Sequence, residues 1–256
     1  MDRKGGVNRR GFFVRALQAS SLLALAGCDN LSRSEWFGEL TGKTEGVTKR
    51  AQRALTPRRA MAREYREADR SAVFPANGNT EVADAGYRAL AADGFAGWTL
   101  EVGGLVRRPA AFSLAALRAM PARTQITRHD CVEGWSAIGK WTGVPLRDVL
   151  AQVEPLPEAR YLVFHCADTD DDAVPYYESI DFDEAYHPQT LLAYDMNDAP
   201  LTVPHGAPVR LRVERQLGYK QAKYIMRIQL VETFGDIAGG NGGYWEDQGY
   251  EWYAGV

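Results

Sequence analysis

The sequence predicts a strand-dominated α+β fold in a single domain, on three observations. Short β-branched or alternating apolar segments recur between residues 98 and 230, the period-two signature of strands. Helix-start signals are few. No alternation of strand and long amphipathic helix appears, so a doubly wound parallel sheet is not expected.

The elements follow in order from about Phe74. Trp98-Thr-Leu100-Glu-Val102 alternates as a strand, and Gly103-Gly104 reads as a turn or bulge interrupting it. Ser113 is placed to cap a short helix, LAALRAM, which Pro121 ends. Tyr161–Cys166 reads as a strand. Asp181 can open a helix, with Glu184 three residues on completing a capping box. Thr190–Tyr194, Val209–Val213 and Tyr224–Leu230 read as further strands. The folded domain is expected over residues 71–256.

Ahead of it, residues 1–27 have the layout of an export signal: a basic start, a short apolar run and a small-residue site. The run Ala16–Gly27 is too short and too polar for a membrane span, which needs about 20 apolar residues. Asn8-Arg9-Arg10-Gly11-Phe12-Phe13 resembles a twin-arginine signal. Leu25-Ala26-Gly27-Cys28 resembles a lipobox, which would make Cys28 the lipidated first residue of the mature chain; an ordinary secretory signal cleaved near Ala26 is the alternative. Asp29 after the cysteine resembles an inner-membrane retention signal, so the expected location is the periplasmic side of that membrane. Twin-arginine passengers are exported folded, usually with a cofactor already inserted. Residues 28–70 read as a polar tether, with a solvated helix possible in TPRRAMAREYREADR.

The 256-residue chain carries 30 basic against 33 acidic residues. Removing the signal makes the remainder more acidic, since residues 1–27 hold five basic side chains and one acidic. Nucleic-acid binding requires a basic footprint and is excluded. No GxGxxG follows a strand and no Walker-type loop is present, so nucleotide cofactors have no support.

Three cysteines must be explained. With Cys28 lipidated, Cys131 and Cys166 remain. An oxidising compartment makes a Cys131–Cys166 disulfide one reading, in a cofactor-free exported lipoprotein serving binding or assembly. Zinc fits poorly: His165 and Cys166 are adjacent and would face opposite sides of a strand, and no CxxC or HxxxH pair exists. Haem attachment has no CxxCH. The third reading is one thiolate on a soft, redox-active metal held mainly by other ligands.

Arg128-His129-Asp130-Cys131-Val132-Glu133-Gly134-Trp135, followed by Trp141-Thr-Gly-Val-Pro145-Leu, resembles the molybdopterin-dependent oxidoreductases of the sulfite oxidase superfamily, in particular their bacterial periplasmic branch related to the methionine-sulfoxide reductase catalytic subunit. Four further motifs carry the likeness in order: Phe74-Pro-Ala-Asn77, Tyr186-His187-Pro188-Gln-Thr190-Leu, Gly206-Ala-Pro-Val-Arg210-Leu and Gly218-Tyr-Lys220-Gln-Ala-Lys223. The resemblance runs from about Phe74 to Val231. It implies the sulfite-oxidase-type catalytic fold, a Mo-molybdopterin cofactor and Cys131 as the protein's metal ligand. It further implies two-electron oxygen-atom transfer on a small S- or N-oxide, or on sulfite.

The same resemblance assigns cofactor contacts to Asn77, Cys166, His205, Arg210, Gln221, Ala222 and Lys223. Arg210 has the planar fork that suits the pterin phosphate; outside the motif, a salt bridge with Glu214 would be its ordinary role. Asn79 is the alternative to Asn77. Cys166 stands where relatives carry threonine, and His205 where they carry asparagine, so the contact at His205 is expected to differ. Glu133 and Asp130 are candidate proton carriers, with solvated carboxylates the default. Trp135, Trp141 and the aromatic tail could line a funnel, although packing is the ordinary role of each tryptophan. With no haem or iron–sulfur motif in the chain, a membrane cytochrome b-type electron partner is implied.

Overall fold

Period-two apolar patterning builds two five-stranded sheets in the computed structural model, which describes Pro57 and residues 60–256. The first contains β1 (Thr99–Gly104), β2 (Ala110–Ser113), β5 (Tyr161–Thr169), β6 (Pro175–Asp181) and β10 (Ile225–Val231). Their order is β2-β1-β10-β5-β6, and only β1 and β10 run parallel. The second contains β3 (Arg123–Asp130), β4 (Ser136–Pro145), β7 (Leu191–Met196) and β8 (Ala199–Pro200) in that order, with β9 (Arg210–Arg212) paired to β7. The helices are short: α1 (Ala85–Ala92), α2 (Leu114–Ala119), α3 (Leu146–Val153), α4 (Phe182–Ala185) and α5 (Tyr244–Asp247). A strand-dominated α+β architecture is what the patterning predicts.

The main core forms where α3 meets the first sheet. Leu146, Val149, Leu150 and Val153 recur at helical spacing and are fully buried, in one cluster with Leu100, Leu162, Phe164, Ile228 and Leu230. Each such side chain contributes about 1.5–3 kcal/mol by leaving water.

The expected caps are present. Ser113 Oγ accepts the Ala116 N–H at 3.1 Å, and the chain leaves α2 at Met120, before Pro121. Asp181 Oδ1 accepts the Glu184 N–H at 3.1 Å. Gly103 and Gly104 do not end β1 but complete it. At Gly104, φ is +82° and a Cβ would lie 2.3 Å from the Leu230 carbonyl oxygen, so the glycine permits close strand approach.

The signal, Cys28 and most of the tether lie outside the described residues. Residues 60–70, read from sequence as the tether's end, instead run along β3. The Tyr65 N–H donates to the Ile126 carbonyl at 2.8 Å, and the buried Gln189 amide pairs with both backbone groups of Ala62. A buried amide needs such partners, which draws the segment onto the domain. One 3₁₀ turn, Glu67–Asp69, stands where a helix was expected.

Candidate active site

The β3–β4 hairpin carries Cys131 at its loop. The Cys131 N–H donates to the Trp135 carbonyl at 2.9 Å, and the Gly134 N–H returns to the Cys131 carbonyl at 3.1 Å. Gly134 takes φ +89°, which glycine adopts at no steric cost. Glu133 ties this loop to a second one, accepting the Gly78 N–H and the Trp135 Nε1–H, each at 3.0 Å. The Cys131 thiol is 9% exposed, and burial pushes its pKa up. Left alone it stays protonated; a bound metal would deprotonate it.

Cys131 opens onto a cavity of about 410 Å³, whose wall includes Asn77, Asn79, Asp168, Gln221 and Lys223. Lys223 donates to the carbonyls of Asn77 (2.6 Å), Asn79 and Pro204 (3.1 Å). Burial, and then the neighbouring Arg210, brings its pKa down to about 7. Asn79 is the hub of this side: its Nδ2 donates to Asp168 Oδ2 at 3.0 Å, while its carbonyl accepts the Tyr224 hydroxyl at 2.7 Å. Asp168 Oδ1 is buried without a hydrogen bond, and burial raises the carboxyl to about 6.

Arg210 sits directly behind Gln221, fully buried. Its Nη1 donates to the His205 carbonyl at 3.1 Å and Nη2 reaches the Gln221 carbonyl at 3.5 Å, while Nε has no partner. Its guanidinium lies 5.1 Å over Trp141, and burial, then Arg212, lowers its pKa to about 9. Glu214 is not its partner. That carboxylate binds Arg212 at 2.6 Å. Arg212 also donates to His129 Nδ1 at 3.0 Å, which leaves His129 neutral with its proton on Nε2. A Cβ on Gly218 would come within 2.5 Å of that Nε2, so only glycine fits at the start of the 218–223 turn.

Asn77, Cys131, Gln221 and Lys223 therefore meet at one cavity, with Arg210 immediately behind. The other expected contacts do not line it. Ala222 is buried and its carbonyl accepts the Leu211 N–H at 2.8 Å. The His205 ring is held between the Phe74 carbonyl (3.1 Å) and Thr202 Oγ1 (2.9 Å), so its backbone, through Arg210, serves the site. Cys166 lines a separate cavity with Asp84 and Met226. Both cysteines are free thiols, which corrects the disulfide reading. Trp141 is fully buried and Trp135 only partly so. The sequence did not single out Asp168, and a register irregularity in β5 between His165 and Thr169 breaks the period-two rule that would relate it to Cys166.

These residues fit a molybdopterin. Among the described residues, no carboxylate lies within ion-pair distance of Arg210 or Lys223, although both are buried. Unpaired buried cations are costly, and an anion such as the pterin phosphate offsets that cost. Asp168 Oδ1 is a buried acceptor without a donor, suited to a pterin N–H group. Among the described residues no cluster of three His, Cys, Asp or Glu side chains could hold a metal. Cys131 offers one sulfur, the contribution left to the protein when the cofactor brings the other ligands.

The family described as the oxidoreductase molybdopterin binding domain matches residues 89–235, more than half of the chain. A chain of Azospira oryzae named as a protein-methionine-sulfoxide reductase subunit, YedZ1, is 37% identical over 250 residues, covering 96% of this chain and 87% of the relative. A catalytic subunit of protein-methionine-sulfoxide reductase, MsrP of Xanthomonas axonopodis pv. citri, is 38% identical over 152 residues. That match covers 55% of this chain and 47% of MsrP, so the chain spans about half of that relative. Among solved structures, the sulfane dehydrogenase SoxCD of Paracoccus pantotrophus aligns with a TM-score of 0.49 and 23% identity, over 54% of this chain and 39% of that one.

Proposed function

We propose, on the premise that this chain belongs to the molybdopterin-binding oxidoreductases and is an enzyme carrying Mo-molybdopterin, that it reduces an uncharged organic sulfoxide. One observation carries the choice of substrate. Beside Cys131 the cavity presents the carboxylates of Glu133, Asp170 and Asp171 against the single ammonium of Lys223. Sulfite is an anion and would be repelled by such a wall, at a cost of several kcal/mol for unfavourable charge juxtaposition. A sulfoxide is neutral and polar at one atom only.

When bound, the cofactor supplies a two-electron centre competent to take an oxygen atom. The balanced reaction is R₂SO + 2 e⁻ + 2 H⁺ → R₂S + H₂O. Cys131 provides the protein's sulfur to the metal. Arg210, with its unpaired Nε–H, and Lys223, as a positive charge whose three N–H groups are held by backbone carbonyls, would hold the phosphate. Asp168, raised by burial to about 6, is the group in the cavity wall placed to hold and release a proton near neutral pH. Asn79 holds Oδ2, and Oδ1 is left buried without a partner.

The electrons come from another protein, and a membrane cytochrome b-type partner is the reading consistent with relatives named as subunits. Twin-arginine export, a lipid anchor at Cys28 and a site on the periplasmic face of the inner membrane complete the proposal. The test is an assay of the purified holoenzyme with reduced viologen and methyl p-tolyl sulfoxide, and separately with sulfite and an electron acceptor. Turnover with the sulfoxide alone is expected; turnover with sulfite alone overturns the assignment.

A further inference from the structure

One wall of the cavity is aromatic, and most of its rings lie beyond the matched family segment. Tyr176, Tyr244, Trp245, Tyr250 and Tyr219 all line it. Their rings form an unbroken chain, with successive centroids 5.6, 5.4, 5.1 and 5.3 Å apart. Three of the five come from the C-terminal segment beyond residue 235, where the family match ends.

This wall is held open to solvent by construction. Trp245 and Tyr250 remain 36% and 42% exposed although each contacts the other. Their support is rigid. Lys220, fully buried, pairs with Glu178 of β6 and Glu246 of α5, which fixes the turn of α5 on the sheet. The Tyr244 hydroxyl donates to Asp170 Oδ2 at 2.7 Å. Asp247 accepts the backbone N–H groups of Gly239 (2.9 Å) and Asn241 (3.0 Å) and the Tyr177 hydroxyl at 2.6 Å. Large rings kept at a cavity mouth by a fully bonded scaffold are a recognition surface, because nothing in the folding of the segment requires their exposure.

Resting on the sulfoxide reading above, we infer that Tyr244, Trp245 and Tyr250 form the subsite that selects the substrate, taking its apolar substituent on their faces. The chemistry is complementary. A sulfur atom with flanking methyl or aryl groups makes favourable contacts with aromatic rings, and an apolar group leaves water on binding there. The carboxylates on the other side discourage anions. The occupant is therefore an uncharged sulfur compound with at least one substantial apolar substituent.

The test uses the holoenzyme without electron donor, titrated with methyl p-tolyl sulfone while tryptophan fluorescence is followed. Saturable quenching is expected, and its loss in Trp245→Ala. In turnover, Trp245→Ala should raise KM for methyl p-tolyl sulfoxide about tenfold but for dimethyl sulfoxide only about twofold, with a far smaller effect on kcat. Quenching unchanged in the variant, or equal KM shifts for the two sulfoxides, overturns the subsite. Tighter quenching by trimethylsulfonium than by the sulfone would assign the wall to cations instead and also overturn it. Should the unaltered enzyme reduce no sulfoxide yet show sulfone quenching that Trp245→Ala abolishes, the reaction assignment fails and the subsite stands. Sulfoxide reduction without any sulfone binding gives the converse.

Discussion

Replacing Lys220 by methionine should destabilise this protein strongly. Lys220 has no solvent exposure and pairs with two carboxylates, Glu178 and Glu246, that are equally buried. Methionine keeps the volume and removes the charge, leaving two uncompensated carboxylates. Breaking a buried pair in this way costs about 3–5 kcal/mol. For a domain of this size each kcal/mol moves Tm by roughly 2–4 °C, so the expected fall is on the order of 6–20 °C. Burial, and next the proximity of Glu246, already holds the Glu178 carboxyl well above its ordinary value of 4.5. A carboxyl whose folded pKa is raised binds more protons in the folded state, so its contribution is lost as pH rises. Without Lys220 that effect strengthens, and the deficit should be larger at pH 8 than at pH 5. The assay is urea denaturation with unchanged m-value at both pH values. Adding Glu178→Gln and Glu246→Gln to Lys220→Met should recover at least half of the loss. A deficit below about 1 kcal/mol, the level typical of an exposed ion pair, would refute the reasoning, as would a triple variant no better than the single one.

Three further outcomes are expected. Cys131→Ser should fold with Tm near that of the parent, yet lose activity by more than the roughly 10–100-fold that loss of an outer-shell partner typically costs a metal site; undiminished turnover per molybdenum would contradict the ligand assignment. Arg210→Gln should lower cofactor occupancy rather than turnover per molybdenum bound, because charge-assisted hydrogen bonds of about 1.5–3 kcal/mol correspond to roughly ten- to hundredfold in affinity; metal analysis beside kinetics separates the two. Asp168, raised from 3.8 to about 6 by burial, contributes stability to the cofactor-free protein that is fully present below pH 4 and lost as pH rises through 6. Asp168→Asn should therefore flatten that part of the stability–pH curve, and an unchanged curve measured by denaturation would place the titration elsewhere.

The sequence made the frame readable wherever one local signal sufficed. Ser113 and Asp181 cap as their positions predict, and the alternating segments that became β1, β5, β7, β9 and β10 are strands. The longest strand, β4, was not legible. Its Gly139, Gly143 and Pro145 look like loop residues, yet a Cβ at Gly143 would lie 2.2 Å from the Leu192 carbonyl oxygen, so the glycine is what lets β7 approach. The site divides in the same way. Cys131 and the 218–223 turn stand in contiguous motifs, and the structure brings them to one cavity. Asp168 and Asn79 are joined across 89 residues by one hydrogen bond, and no period or spacing carries that information. His205 shows the opposite failure: a motif position marked the right place, but the ring turned to Phe74 and left its carbonyl to do the positioning.

The distribution of charge separates the rear of the site from its mouth. The buried cations, Arg210 and Lys223, belong to β9 and the turn after it, within the matched segment, and their surroundings are backbone carbonyls that no side-chain substitution removes. The mouth is made of side chains on a different footing. Asp170 and Asp171 lie in the β5–β6 connection, and Tyr244, Trp245 and Tyr250 lie past residue 235. Changing any of these should alter what enters without touching Arg210 or Lys223. Selectivity on this reading should therefore move with the C-terminal segment. Exchanging residues 239–256 for the corresponding segment of a relative would shift the preference among sulfoxides while molybdenum content stays constant. A loss of molybdenum in such a chimera would show that the two halves are not separable, and that the buried contacts of Lys220 with Glu178 and Glu246 bind cofactor retention to the aromatic wall.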